Sequence, residues 1–89
     1  MSNVHDLPEI DAKKTAKNIK RMMKKCRMDH FNLALILRLR STSTIYSWTQ
    51  GRCVPSAESL LQLANIFGCQ IEDLIGVKDD SEGEEDYEL

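Results

Sequence analysis

Apolar residues recur near the start of the chain at helical steps. Ala12, Ala16, Ile19, Met23 and Cys26 follow at intervals of 4, 3, 4 and 3, which places them on one face of an α-helix. Lys13, Lys14, Lys17, Lys20, Arg21, Lys24 and Lys25 cover the remaining surface. This predicts a first helix over residues 11–26, with Asp11 able to cap its start. Asp29 is a good N-cap for a second helix, over 30–38. The run from Phe31 to Leu37 is apolar nearly all round, which predicts a central, buried element. Leu33, Leu35, Leu37 and Leu39 also alternate as in a strand. A lone strand would leave its backbone groups without partners, so helix is the reading taken.

Ser41, Thr42, Ser43 and Thr44 supply capping hydroxyls for a third helix over 42–50, with Ser41 expected as the cap. Ile45 and Trp48 form its apolar back, and Thr44 is expected to be partly buried. Thr42, Ser43, Tyr46, Ser47 and Gln50 form an uncharged, hydrogen-bonding front, and Gly51 ends the helix. A fourth helix is predicted over 57–67. Ser56 caps it, Glu58 lies in its first turn, Leu60, Leu63, Ala64 and Phe67 form its core stripe, and Gly68 stops it. Residues 71–75 read as a short fifth helix, with Glu72 and Asp73 at its positive end and Gly76 after it.

The chain has 89 residues, enough for one domain. It lacks the roughly 20 uncharged apolar residues that a membrane helix needs. MSNVHDLPEI has no basic segment leading into an apolar one, so it is not a secretory signal. The net charge of −2 hides a segregation. Residues 79–89 hold seven acids and no base, leaving +5 on residues 1–78. Residues 13–52 alone carry eleven bases against one acid, Asp29. The expected organisation is a loose leader over 1–9, a helical domain over 10–78, and an acidic disordered tail over 79–89. The tail reads either as a solubilising segment or as a competitor with nucleic acid for the basic face. Cys26, Cys53 and Cys69 form no CxxC pair, and His5 and His30 lack zinc-ligand spacing. They predict reduced thiols in a cytoplasmic protein, with no metal site. Cys26 and Cys69 are expected as small core residues, and Cys53 as an exposed loop residue.

NIKRMMKKC, LAL, STSTIYSWTQG and VPSAESLLQLANIFGCQIEDLIG resemble the Cro/cI-repressor-like helix-turn-helix family, also called the XRE family, over about residues 17–76. The most specific part runs from Ile45 to Gly51, followed by Pro55-Ser56, Leu60, Leu63-Ala64, Phe67-Gly68 and Ile71-Glu72-Asp73-Leu74. The resemblance implies an all-α fold, a compact five-helix lambda-repressor-like domain whose second and third helices form the DNA-binding pair. Departures are visible. Arg38-Leu39-Arg40-Ser41 stands where the family usually carries a glycine, and the turn is one residue longer than the commonest form. Arg27, Met28, Asp29 and His30 open the second helix in place of the usual Gly and Leu or Thr-Gln. The third helix has no Arg, Lys, Asn or long amide before Gln50, which lowers the strength of direct base readout.

The resemblance implies sequence-specific binding of double-stranded DNA with the third helix in the major groove. Thr42, Ser43 and Ser47 are the candidate base contacts, offering hydroxyls and, for Thr, a methyl against thymine, with Tyr46 next. His30, Arg38, Arg40, Gln50 and Arg52 are the candidate phosphate contacts. Trp48 is expected in the core. One domain covers one half-site, so a homodimer on a two-fold operator is expected, with Ile71, Leu74 and Ile75 in the self-association surface. The leading function is a transcriptional repressor. The alternative is a protein-interaction module, such as an antitoxin or adaptor, with weakened DNA contacts. No Ser/His/Asp set, GxGxxG or P-loop points to an enzyme, and neither a catalytic site, a cofactor nor a small-molecule ligand is inferred.

Overall fold

The computed structural model describes residues 7–78. The acidic segment 79–89 and the first six residues lie outside the described residues. Four α-helices follow in order, α1 (Ala12–Lys25), α2 (His30–Ile36), α3 (Ser43–Thr49) and α4 (Ala57–Phe67). No described helix is long and apolar enough to cross a membrane.

The element expected as a fifth helix is a 3-10 turn, Ile71–Asp73. Its bonds are mostly of the i to i−3 kind: Asp73 N–H to Gln70 O (3.0 Å) and Leu74 N–H to Ile71 O (2.9 Å). So short a segment cannot repay the cost of nucleating an α-helix. Leu74 is fully buried, while Ile71 and Ile75 pack partly buried against the core. Leu74, one of the three residues expected in a self-association surface, is therefore already used inside the domain.

The core takes Ile19 and Met23 from α1, Leu33 and Ala34 from α2, Ile45 and Trp48 from α3, and Leu60, Leu63, Ala64 and Phe67 from α4. α1 packs chiefly across α3. The apolar stripe expected for α4 and the core position of Trp48 are those observed; of the stripe expected for α1, Ala16, Ile19 and Met23 are buried, Ala12 and Cys26 are half-buried, and Thr15 is buried beside them. α2 differs. Only Leu33 and Ala34 are buried, while Phe31 and Leu35 stand 62% and 60% exposed. A helix of seven residues makes two turns and can show the core one face, whatever lies on the other.

Three starts carry the expected caps. The Asp11 carboxylate accepts from Lys13 N–H (2.9 Å) and Lys14 N–H (3.1 Å). Asp29 accepts from Asn32 N–H (2.8 Å), and Asn32 Oδ1 accepts in return from Asp29 N–H (3.3 Å). Ser56 Oγ accepts from Ser59 N–H (3.2 Å). α3 departs from expectation. Its N-cap is Thr42, whose side chain makes no cap bond. Ser41 stands one residue earlier, and its Oγ accepts from Ser43 N–H at 3.3 Å.

The segment after the 3-10 turn is strapped to α1. Thr15 Oγ1, buried, accepts from Gly76 N–H (3.0 Å), and Gly76 O accepts from Asp11 N–H (2.7 Å). Asn18 Nδ2 donates to Leu74 O (3.1 Å) and Lys14 Nζ to Val77 O (2.9 Å). Ile10 and Val77 form an isolated antiparallel bridge, and Lys78 N–H donates to Glu9 O at 2.9 Å. Glu9, the last residue of the expected leader, is thus tied to the domain. Gly76 is required by contact: a Cβ there would meet Lys14 Cβ and lie 2.9 Å from the Lys14 carbonyl carbon.

Candidate nucleic-acid interface

The orientation of α3 follows from what it buries. Ile45, Trp48 and Thr49 face the core. At about 100° per residue this leaves Tyr46, Gln50, Ser43, Ser47 and Thr44 on one contiguous arc of about 160°. Ser43, Thr44, Tyr46 and Gln50 are exposed and Ser47 is half-buried. Thr44 is a correction, because it was expected to be partly buried. Thr42, half-buried at the N-cap, is less available than Ser43. The Ser43 hydroxyl hydrogen-bonds the Ser41 hydroxyl at 2.8 Å, so these two side chains are held together at the head of the arc.

Two residues expected at the interface hold each other. The His30 ring stacks on the Tyr46 ring with centroids 3.8 Å apart and planes 8° from parallel. His30 Nε2 lies 2.9 Å from Thr49 Oγ1, and the Thr49 hydroxyl donates to Tyr46 O at 3.4 Å. Thr49 Oγ1 is thus in hydrogen-bond contact with both the imidazole and the Tyr46 carbonyl. His30 therefore braces the start of α2 against α3 and fixes the ring of Tyr46, a residue that remains 43% exposed. Thr49 is a site residue that sequence reasoning missed. As a threonine it carries no apolar signal, and its partner lies 19 residues away.

Arg38 and Arg40, in the turn before α3, and Arg52, just after it, are exposed. Arg38 has φ +61, the left-handed conformation that glycine adopts most cheaply. This is the stretch where the sequence departs from the family's glycine. Lys13 also approaches α3: its Cγ lies 3.3 Å from where a Gly51 Cβ would stand, directly before Arg52. The sequence pattern put Lys13 on the solvent face of α1 without showing this neighbour. Gln50, exposed at the C-cap of α3, completes the rim.

Charge and hydrogen bonding therefore divide by place. The arc offers neutral donors and acceptors, and the cations stand in the flanking segments, Arg38 and Arg40 before α3 and Arg52 after it. The thiols lie apart from it in role. Cys26 and Cys69 are half-buried against the core and Cys53 is exposed. Cys26 Sγ donates to Phe67 O at 3.7 Å. Burial raises the Cys69 thiol above its ordinary pKa, and the Asp73 carboxylate adds to this. Such a thiol stays protonated and suits packing. Among the described residues, no group of three or more His, Cys, Asp or Glu could hold a metal ion.

The family model of the Cro/C1-type HTH DNA-binding domain matches residues 18–80. The chain belongs to that family. No curated protein and no solved structure matches it. DNA binding is that family's property. The match covers α2 and α3, the strained Arg38 turn, and the segment that returns to α1.

Proposed function

We propose that the chain is a sequence-specific transcriptional regulator acting as a repressor, with α3 lying in the major groove. The observation that carries this reading is the arc of Ser43, Thr44, Tyr46, Ser47 and Gln50, with exposed Arg38, Arg40 and Arg52 in the segments that flank it along the chain and Lys13 against Gly51 at its end. Ser43, Ser47 and Tyr46 are the proposed base contacts, Thr44 joins them, and Thr42 contributes from the helix start. Arg38, Arg40, Gln50 and Arg52 contact phosphates. His30 acts through its stack on Tyr46 as well as through any phosphate within its reach. Single hydroxyl contacts discriminate less than a bidentate Arg–guanine pair, so phosphate contacts supply most of the affinity. Two half-sites bound by a homodimer would raise it further.

Selection of binders from a randomised duplex library tests the proposal. The expected result is an enriched motif and an affinity that falls by orders of magnitude from 50 to 200 mM salt, as about six phosphate contacts would give. No enrichment and no binding at low salt would overturn it. A second reading, a protein-interaction module such as an antitoxin or adaptor, is favoured by one observation: Phe31 and Leu35, four residues apart on α2, are both exposed. It predicts a stable complex with a partner protein that Phe31→Ser abolishes while duplex binding stays absent or weak.

A further inference from the structure

The chain leaves the described domain at Lys78, and its path there is fixed by α1. Lys14 Nζ donates to Val77 O, and Gly76 packs on Lys14 and Thr15. Lys13, the next residue along α1, abuts Gly51 at the end of α3. Segment 79–89 therefore starts beside the residues that link α1 to the last turn of the recognition helix. Its eleven residues carry seven carboxylates and no base. Extended, they would reach at most about 36 Å, whereas α3 is about 10 Å long. The nearby surface is cationic: Lys13, Lys17, Lys20 and Lys24 follow at steps of 4, 3 and 4 along α1, all exposed, and Arg52 lies beyond Gly51. Among the described residues, no carboxylate forms an ion pair with Lys13, Lys17 or Arg52.

We propose that segment 79–89 docks, within its own chain, on the cationic rim formed by Lys13, Lys17 and Arg52, where its carboxylates stand in place of DNA phosphates. The docked segment is an internal competitor for DNA, and it rests on the DNA-binding reading given above. A short tether holds a ligand at an effective concentration in the millimolar range. Weak pairings, each worth little alone, then suffice to occupy the rim at low salt. The competition is screened at the same ionic strengths that weaken DNA binding.

The experiment compares the full chain with a full-length variant in which all seven acids are made amides, from Asp79→Asn through Glu88→Gln. A second comparison uses the chain ending at Lys78. Backbone NMR of the isolated proteins is the first readout. Docking predicts shifts at Lys13, Lys17, Gly51 and Arg52 between full chain and variant, independent of protein concentration and erased by 0.5 M salt. Shifts that grow with concentration, or none at these residues, would overturn the proposal. The second readout is affinity for a 20-base-pair random duplex. Both altered chains should bind about tenfold tighter than the full chain at 50 mM salt, with the ratio approaching one at high salt. Equal affinity at low salt would overturn the competition. NMR shifts without duplex binding by any of the three proteins would support the contact and reject the DNA reading instead.

Discussion

Arg38 occupies a backbone conformation that costs an L-residue roughly 1 kcal/mol. Glycine would remove that cost, so an arginine there needs a reason in its side chain. If the reason is a phosphate, stability and binding move in opposite directions. Arg38→Gly should leave thermal stability unchanged or raise it by up to about 1 kcal/mol. The same variant should bind all duplexes more weakly and lower the salt slope by about one. Arg38→Ala should lose the same binding without the gain in stability. A Gly variant that binds as tightly as the parent would leave Arg38 as a strained turn residue only. At this scale much of the site is legible in the sequence. The spacing of Ile45 and Trp48 gives the back of α3 and hence its hydroxyl front. Thr44 is misplaced by the same spacing because Thr49 is buried as well. Its burial turns the helix and carries Thr44 outward. No sequence pattern announces that Thr49 hydrogen-bonds His30.

Helix ends show how local chemistry sets elements, and where it gives way. All four helices finish with the same reversal, in which two N–H groups beyond the last turn bond back across it. The pairs are Arg27 and Met28 to Lys24 and Met23, Arg38 and Leu39 to Leu35 and Ala34, Gly51 and Arg52 to Trp48 and Ser47, and Gly68 and Cys69 to Asn65 and Ala64. Glycine marks the last two ends in the sequence. Arg27, at φ 56, and Arg38 do the same work without that signal, so the ends of α1 and α2 are harder to read. The caps are legible because an aspartate or serine before a helix has one strong use. Asp11 makes that use measurable. The Lys14 backbone N–H lowers its pKa below the ordinary 3.8, against a smaller opposing effect of burial, with help from Lys13 N–H and the charges of Lys14 and Lys78. A carboxyl with a depressed folded pKa stabilises the fold above its unfolded pKa and loses that effect as pH falls through the folded value. Asp11→Asn keeps a capping oxygen but cannot titrate. The parent should therefore be more stable than Asp11→Asn at pH 7, with the gap closing below about pH 4, read by urea unfolding. Asp11→Ala should cost about 1 kcal/mol at pH 7. The overturned burial of α2 has its own test in the same assay. Leu33→Ala should cost about 2–5 kcal/mol, whereas Phe31→Ser should stay within about 0.5 kcal/mol. A core-sized loss at Phe31 would restore the expectation that α2 is buried on all sides.

The molecule as a whole is closed by contacts of high sequence separation that no periodic pattern carries. Composition and helical spacing give an all-helical domain with a basic half. They do not show that Thr15 holds Gly76, or that residues 9–11 pair with residues 76–78. Because these bonds join residues more than sixty positions apart, they fold the two ends of the domain onto one another. Gly76 is the point where this closure is tightest. Gly68 provides the contrast. It has φ +71 and nothing within 4 Å of a built Cβ, so Gly68→Ala should cost about 1 kcal/mol through backbone strain alone. Gly76→Ala meets the backbone of α1 instead, and that helix can yield only by shifting. The expected cost is about 1–3 kcal/mol. In a domain of this size each kcal/mol lowers Tm by about 4–8 °C. The same substitution should raise hydrogen exchange at the amides of Asp11, Gly76 and Lys78, the donors that join the ends, while Gly68→Ala leaves them protected. If Gly76→Ala melts with the parent and keeps those amides protected, the closing segment is free to slide on α1, and the path of the chain at Lys78 is not fixed beside Lys13.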